Sequence, residues 1–180
     1  MRKLKWTPIP EPISIALFTG LQTEKIFQKL AWKALRTWMG LWWSVPFSEM
    51  LEITAAHFAD YEFGTRAVLV HTGWDRHWNT AQYYEDHPYI TEGAAVYLRD
   101  CKVRLIEIDA HNIDNTKGKS RPVHTTLLGA NILIVEHLCN LNSLPKKDFT
   151  FSAVPPNWKG VGTFPVRAMA KIKYNRRGDK

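Results

Sequence analysis

Cysteine is scarce in this sequence, and it contains no long apolar run. Two cysteines, Cys101 and Cys139, cannot staple a chain of 180 residues, so a disulfide scaffold is excluded. No stretch reaches the ~20 apolar residues of a membrane span, and the apolar run 13–21 resembles a signal peptide only weakly. With 45% hydrophobic and 12% aromatic residues, the chain can bury a one-domain core. These features predict a cytoplasmic globular protein.

Acidic residues are sparse at the front of the chain. Residues 1–47 carry a net charge of +5 and five of the eight tryptophans, whereas residues 48–180 carry only +2. We therefore divide the chain into a basic, Trp-rich segment, 1–47, and a larger domain, 48–180. The near-neutral charge of the larger part argues against a nucleic-acid partner.

Apolar residues in the front segment recur at spacings of three and four from Phe27 to Trp42. This spacing predicts an amphipathic helix from Thr23 to about Trp43, with lysines mainly off the apolar stripe. Such a helix packs on its own domain, mediates oligomerisation or lies on an anionic membrane. Most amphipathic helices face a core, so packing or oligomerisation is favoured over membrane contact.

Beyond Pro46 the pattern changes to strands separated by helical stretches. A helix is predicted from Thr91 through TEGAAVYLRDC. The predicted strands are apolar or alternating runs: Arg66–His71, Val103–Asp109, Ile132–Leu138, Phe149–Val154 and Pro165–Ile172. This order indicates an α/β or mixed α+β domain.

Glu136 is unusual because it lies in the apolar run ILIVEHL. A carboxylate on an apolar strand face costs several kcal/mol unless it is paired or binds a metal. His124, in RPVHTTLLGA, could converge with Glu136 on a metal ion from an adjacent element. The alternative is an edge strand with a solvated Glu136 and a His124 that only packs.

Two loops after predicted strands hold further candidates. In HTGWDRHW, residues 71–78, a metal site could form from His71, Asp75 and His77. The tryptophans and tyrosines nearby equally suggest an aromatic pocket wall, or a packed loop pinned by an Asp–Arg pair. In IDAHNIDNT, the candidates are Asp109, His111 and Asp114, whose acidic side chains are as common in turn caps as in sites.

Several long blocks, in order, resemble the cyclase family, which includes kynurenine formamidase (arylformamidase) and related metal-dependent amide hydrolases. These blocks lie between about residues 52 and 172: VLVHTGWDRHW, HPYITEGAAVYL, IDAHNIDNT, RPVHTTLLGANILIVEHLCNL and FSAVPPNWKGVGTFPVRAMA. The resemblance implies a mixed sheet of the swivelling β/β/α type with flanking helices, and a homo-oligomer. It also implies zinc- or manganese-dependent hydrolysis of a small aromatic amide, as in tryptophan catabolism.

The resemblance also assigns site residues. The family's late metal-binding pair, a His and a Glu twelve residues apart, matches His124 and Glu136. Trp74, Trp78 and Tyr83 are weaker candidates for stacking on an aromatic substrate. The family's earlier HxGTHxDxPxH block, which supplies the remaining ligands and the general acid/base His, is absent from this sequence.

Two metal ligands are fewer than the three that usually fix a catalytic ion, and the catalytic acid/base residue is unassigned. A truncated, rearranged or frame-shifted front end would give this pattern. A non-catalytic relative, acting as an oligomerising subunit or binding module, would give it too. The leading expectation is an arylformamidase-like hydrolase that works weakly on its own.

Overall fold

The computed structural model describes residues 5–8, 13–16, 38–48, 50–154 and 163–172. Among these residues, the α-helices are α1 (Glu92–Asp100) and α2 (Pro122–Gly129). The strands are β1 (Lys5–Pro8), β2 (Ile13–Ala16), β3 (Trp38–Ser44), β4 (Glu52–Ile53), β5 (Ala67–His71), β6 (Tyr89–Ile90), β7 (Leu105–Ile108), β8 (Leu133–Glu136), β9 (Phe149–Val154) and β10 (Thr163–Ile172). Single turns of 3₁₀ helix occupy Ala55–Phe58, Trp74–His77, Ala81–Tyr84 and Leu141–Ser143.

Four parallel strands form the centre of the main sheet, in the order β3-β5-β7-β8. Antiparallel strands β9, β10, β2 and β1 extend it, and β9 pairs with both β3 and β10. These pairings curl the sheet back on itself, while β4 and β6 form a separate small sheet. The mixed α/β architecture of the swivelling β/β/α type is confirmed.

The two faces of the parallel strands pack against different layers. Leu69, Glu107 and Val135 are aligned across β5, β7 and β8, on the face that packs on β9 and β10. Val70, Ile108 and Glu136 are aligned on the opposite face, which packs on α1 and α2. Burial on both sides explains the nearly continuous apolar runs of these strands.

Helix α1 begins where the sequence predicts. Thr91 caps it by accepting the Ala94 backbone N–H at 3.3 Å, with Glu92 in the first turn. Ala94, Ala95 and Leu98 are buried against the sheet. All five strands predicted beyond Pro46 are present, with ends that differ by at most two residues.

The helix predicted from Thr23 to Trp43 is wrong over its last turns, because Trp38–Ser44 is strand β3. Residues 23–37 of that prediction lie outside the described residues. Trp38 and Trp42 are four apart, a spacing that puts them on one side of a strand as well as of a helix. Pairing with β5 and β9 decides for the strand, and both rings join the core under β9 and β10.

Strands from both sides of residue 47 belong to the main sheet. β1 and β2 pair with β10, and β3 pairs with β5. The division into 1–47 and 48–180 is thus one of composition, and as a domain boundary it stays a prediction. Within the described residues, the helices are too short or too polar to cross a membrane.

Candidate metal centre

The carboxyl ends of the parallel strands bring most of the predicted site residues to one edge of the sheet. Ser44 and His71 are paired at the ends of β3 and β5, and Ile108 and Glu136 at the ends of β7 and β8. The loops that follow carry Asp75, Asp109 and the other loop candidates. Ligand sites in open α/β sheets lie beyond this edge.

His124 is held by the carboxylate of Asp114. Asp114 Oδ1 accepts the Val123 N–H at 2.8 Å, and Oδ2 accepts the His124 N–H at 3.1 Å, so Asp114 caps the first turn of α2. Asp114 Oδ2 also lies 2.6 Å from His124 Nδ1. A carboxylate can only accept there, so Nδ1 carries the proton and the lone pair is on Nε2.

Glu136 faces the lone pair of His124. Its Oε1 lies 3.6 Å from His124 Nε2 and accepts the Ile113 backbone N–H at 2.7 Å. Both side chains are buried, and the predicted proximity of the pair is confirmed. Burial raises the pKa of Glu136 to about 7, against the opposing pull of His124 and of the Ile113 N–H.

This pair fits a divalent metal. Two ligand atoms at 2.0–2.2 Å from a tetrahedral zinc stand ~3.4 Å apart, close to the separation of Nε2 and Oε1. The Asp114–His124 contact is the carboxylate–histidine arrangement that orients metal-binding imidazoles. Among the described residues, no third His, Cys, Asp or Glu atom joins the pair closely enough to complete a ligand set.

Of the three candidate metal ligands in loop 71–78, two come together and one does not. His71 and Asp75 come together with Asp109, and their ligand atoms all lie within 4.8 Å of one another. His77 instead packs its ring against Phe47 and Trp74. The predicted grouping of His71 with Asp75 is therefore observed, while His77 belongs to an aromatic cluster.

The loop after β7 also separates its candidates. Asp109 is fully buried and accepts the N–H groups of Thr72 and Gly73 and the Thr72 hydroxyl at 2.6–3.0 Å. Burial raises the pKa of Asp109 to about 7, although these hydrogen bonds favour its ionised form. Asp114 supports His124, and His111 packs beside Tyr84 at 4.9 Å between ring centroids.

Two of the three rings predicted to stack on substrate are core residues. Trp74 is buried and donates its indole N–H to the Tyr83 carbonyl at 3.0 Å. Tyr83 is buried as well, and its hydroxyl lies 2.9 Å from His137 Nδ1. Trp78, with 39% of its surface exposed, is the ring of the three that can meet a ligand, so for Trp78 the stacking role stays a prediction.

Sequence reasoning named His111 but missed that it groups with two other histidines near Glu136. His137 follows Glu136 at a positive φ of 67°, and its ring packs 5.7 Å from His111. His111 is in turn 5.5 Å from His87. Burial lowers the pKa of His137 to about 4 and lowers the pKa of the other two, so the group is neutral at pH 7.

Glu107 was missed as well. It lies in the run VRLIEID and is fully buried, and burial together with Asp109 raises its pKa well above the usual range. The signal that selected Glu136, an acidic residue inside an apolar strand, applies equally to Glu107.

Part of this chain matches a known protein family. The sequence profile of the putative cyclase family matches residues 43–115. This segment is similar to the cyclase family. It contains β5 and β7 with their loops, hence His71, Asp75 and Asp109, whereas His124 and Glu136 lie beyond it.

Two curated proteins are also similar to part of this chain. Kynurenine formamidase of Geobacillus thermodenitrificans is 34% identical over 106 residues, 58% of this chain and 49% of that protein. An uncharacterized protein of Methanocaldococcus jannaschii is 31% identical over 107 residues, 57% of this chain and 52% of that protein. The chain thus spans about half the length of the curated relatives it matches.

Solved structures share the fold over nearly the whole chain. A potential metal-dependent hydrolase with cyclase activity superposes with a TM-score of 0.74 at 21% identity, covering 97% of this chain and 89% of that one. An isatin hydrolase bound to the product analogue thioisatinate gives 0.76 at 17% identity, covering 96% and 82%. This chain therefore shares its mixed α/β fold with these two hydrolases.

Proposed function

We propose that this chain is a metal-dependent hydrolase of the cyclase family that cleaves the carbon–nitrogen bond of an aryl formamide. The observation that carries the proposal is the buried pair of His124 Nε2 and Glu136 Oε1, 3.6 Å apart, with Asp114 behind the imidazole. Kynurenine formamidase, 34% identical over 106 residues, supports the substrate class. Zinc and manganese both suit a histidine–carboxylate pair.

Each residue of the pair has a distinct role. Asp114 keeps the proton on Nδ1, so Nε2 stays available as a ligand. Glu136 supplies a carboxylate oxygen whose orientation is fixed by the Ile113 N–H. His124 and Glu136 would hold a divalent metal, which would polarise the formyl carbonyl and lower the pKa of a bound water.

The surroundings of the pair suit an aromatic amide. The exposed Trp78 ring stacks edge-on with Tyr83, and both rings pack near His137, the residue after Glu136. An aryl group can pack on Trp78 while its formamide reaches toward the pair. A homo-oligomer in the cytoplasm, acting on a small aromatic amide, completes the proposal.

A non-catalytic subunit or binding module is the second candidate. It is favoured by one observation: within the described residues, the His124–Glu136 pair has only two ligand atoms, one fewer than catalytic zinc sites use. A protein of this kind would bind a metal weakly and hydrolyse nothing.

Metal binding and hydrolysis, measured on the same preparation, separate the two candidates. Purified protein is stripped with EDTA, reloaded with Mn²⁺ or Zn²⁺, and assayed on N-formylkynurenine and formanilide. The hydrolase proposal expects metal-dependent release of formate that His124→Ala and Glu136→Gln abolish and that the exposed change Asp148→Asn leaves intact. Metal binding without formate release would favour the non-catalytic subunit.

A further inference from the structure

A second group of ligand atoms lies beside the proposed centre. His71 ends β5, Asp75 lies in the 3₁₀ turn Trp74–His77, and Asp109 follows β7. Their ligand atoms are all within 4.8 Å of one another, with His71 Nε2 3.8 Å from Asp109 Oδ2. Asp109 is fully buried, whereas His71 and Asp75 are half-buried, so the group has a closed inner side and an open outer side.

The three side chains are held in place by their neighbours. Asp109 accepts hydrogen bonds from Thr72 and Gly73, and Asp75 Oδ2 accepts the Asn140 N–H at 3.0 Å. The His71 ring stacks on Trp42 at 5.4 Å, and burial lowers the pKa of His71, which favours the neutral imidazole a metal requires. A prearranged imidazole with two carboxylates is a donor set for Mn²⁺ or Zn²⁺.

Glu107 points independently to a missing cation. Glu107 precedes Asp109 by two positions, and its neighbour across the sheet, Leu69, precedes His71 by two. The side chains of Glu107, Asp109 and His71 are therefore on one side of the sheet. Glu107 is completely buried, and neither carboxylate oxygen makes a well-formed hydrogen bond to a described residue. Burial, together with the nearby Asp109 and Asp75, raises the pKa of Glu107.

The charge of this region is not balanced by the described side chains. Asp75, Glu107 and Asp109 form no ion pair with a described lysine or arginine. Arg76, next to Asp75, donates its Nε–H to the Gly73 carbonyl and lies over the Phe47 ring. Buried carboxylates are normally paired or bind a metal.

We propose that His71, Asp75 and Asp109 bind a divalent cation, Mn²⁺ or Zn²⁺, with the Glu107 carboxylate as buried counter-charge on the same sheet face. This site is distinct from the His124–Glu136 pair. Glu136 is aligned with Ile108, one residue from both Glu107 and Asp109, and therefore faces the opposite side of the sheet. The proposal stands whether or not the chain is a hydrolase.

Mn²⁺ stoichiometry tests the proposal without an activity assay. Protein stripped with EDTA is titrated with MnCl₂, and free Mn²⁺ is counted by electron paramagnetic resonance. His124→Ala removes the other site, so this variant is expected to keep one Mn²⁺ per chain. In that background Asp75→Asn, which can still accept the Asn140 N–H, is expected to lower the affinity for the remaining Mn²⁺ at least tenfold. Asp148→Asn is expected to leave that affinity unchanged.

A second variant tests directly whether a histidine binds the ion. The ion in the His124→Ala background is expected to show nitrogen coupling from one imidazole, and His71→Gln is expected to abolish that coupling. Absence of a bound ion in the His124→Ala variant, or an ion unaffected by both Asp75→Asn and His71→Gln, would overturn the proposal. If the wild-type protein binds an ion at the His71–Asp75–Asp109 site but none at the His124–Glu136 pair, the proposed function would be refuted and this site would stand.

Discussion

Asp114 Oδ2 lies 2.6 Å from His124 Nδ1, and the same carboxylate accepts the backbone N–H groups of Val123 and His124. One side chain thus starts helix α2 and sets the tautomer of the imidazole that faces Glu136. The folding of this helix end and the readiness of Nε2 for a metal are therefore coupled.

Asp114→Asn is expected to weaken metal binding at the His124–Glu136 pair by about 10- to 100-fold. The asparagine oxygen can still accept the Val123 N–H, but an NH₂ in the place of Oδ2 loses the His124 N–H, donates to Nδ1 and moves the imidazole proton to Nε2. Mn²⁺ or Zn²⁺ titration in the Asp75→Asn background isolates this site. Asp148→Asn, at an exposed position with a φ of 66°, is the matched control, and equal affinities in the two variants would contradict the coupling.

Gly40 is expected to tolerate no side chain. A Cβ at this position of β3 would overlap the buried Phe149 ring of β9, so Gly40→Ala should lower the free energy of unfolding by about 1–3 kcal/mol. Gly93→Ala is the control: Gly93 lies in α1 with open space around it, and alanine there should stabilise by about 0.4–1 kcal/mol. Urea unfolding measures both, and an unchanged Gly40→Ala midpoint would contradict the close packing of β3 on β9.

The accuracy of sequence-based prediction followed the strength of the local signal. Beyond Pro46, β5, β7 and β8 are runs of buried apolar residues, and Thr91 is a cap, so local chemistry was enough. β3 was predicted as helix because the spacing of its tryptophans fits both periods, and pairing with β5 and β9 decides between them.

The candidate site was also predicted only where the local sequence carried a signal. The pairing of His124 with Glu136 followed from the family spacing and from the cost of burying Glu136. The association of His71 and Asp75 with Asp109 did not, because it joins loops 34 residues apart in sequence, and only the register of β5 and β7 brings them together. Glu107 was missed because its environment depends on that register too.

The metal-free protein is expected to lose about 2 kcal/mol of stability between pH 6.5 and pH 8. Burial raises the pKa of Asp109 and Glu136 to about 7 and that of Glu107 further, so over this range the folded state holds protons that the unfolded chain has already released. The buried histidines, with lowered pKa values, add stability as pH rises mainly below about 7, so they offset only part of this loss.

Urea unfolding in EDTA at the two pH values measures this loss. Glu107→Gln removes one of the buried acids and is expected to make the profile flatter. Saturating Mn²⁺ is expected to reverse the loss, because a bound cation favours the ionised carboxylates. Greater stability of the metal-free protein at pH 8 than at pH 6.5 would show that these acids are ionised at little cost.

Hydrolysis of aryl formamides by this chain alone is expected to be at least about 100-fold slower than hydrolysis by the Geobacillus kynurenine formamidase assayed beside it. The motif that supplies the general acid/base histidine in the family is absent from the sequence, and a proton-transfer group is typically worth 10²- to 10⁴-fold. The nearby His111 and His137 pack against each other and against Tyr84 and Tyr83 instead. Added imidazole should therefore raise kcat/KM severalfold in the wild type, and not in His124→Ala, which lacks the metal ligand. Turnover within tenfold of the relative, insensitive to imidazole and abolished by His137→Gln, would instead identify His137 as the missing group.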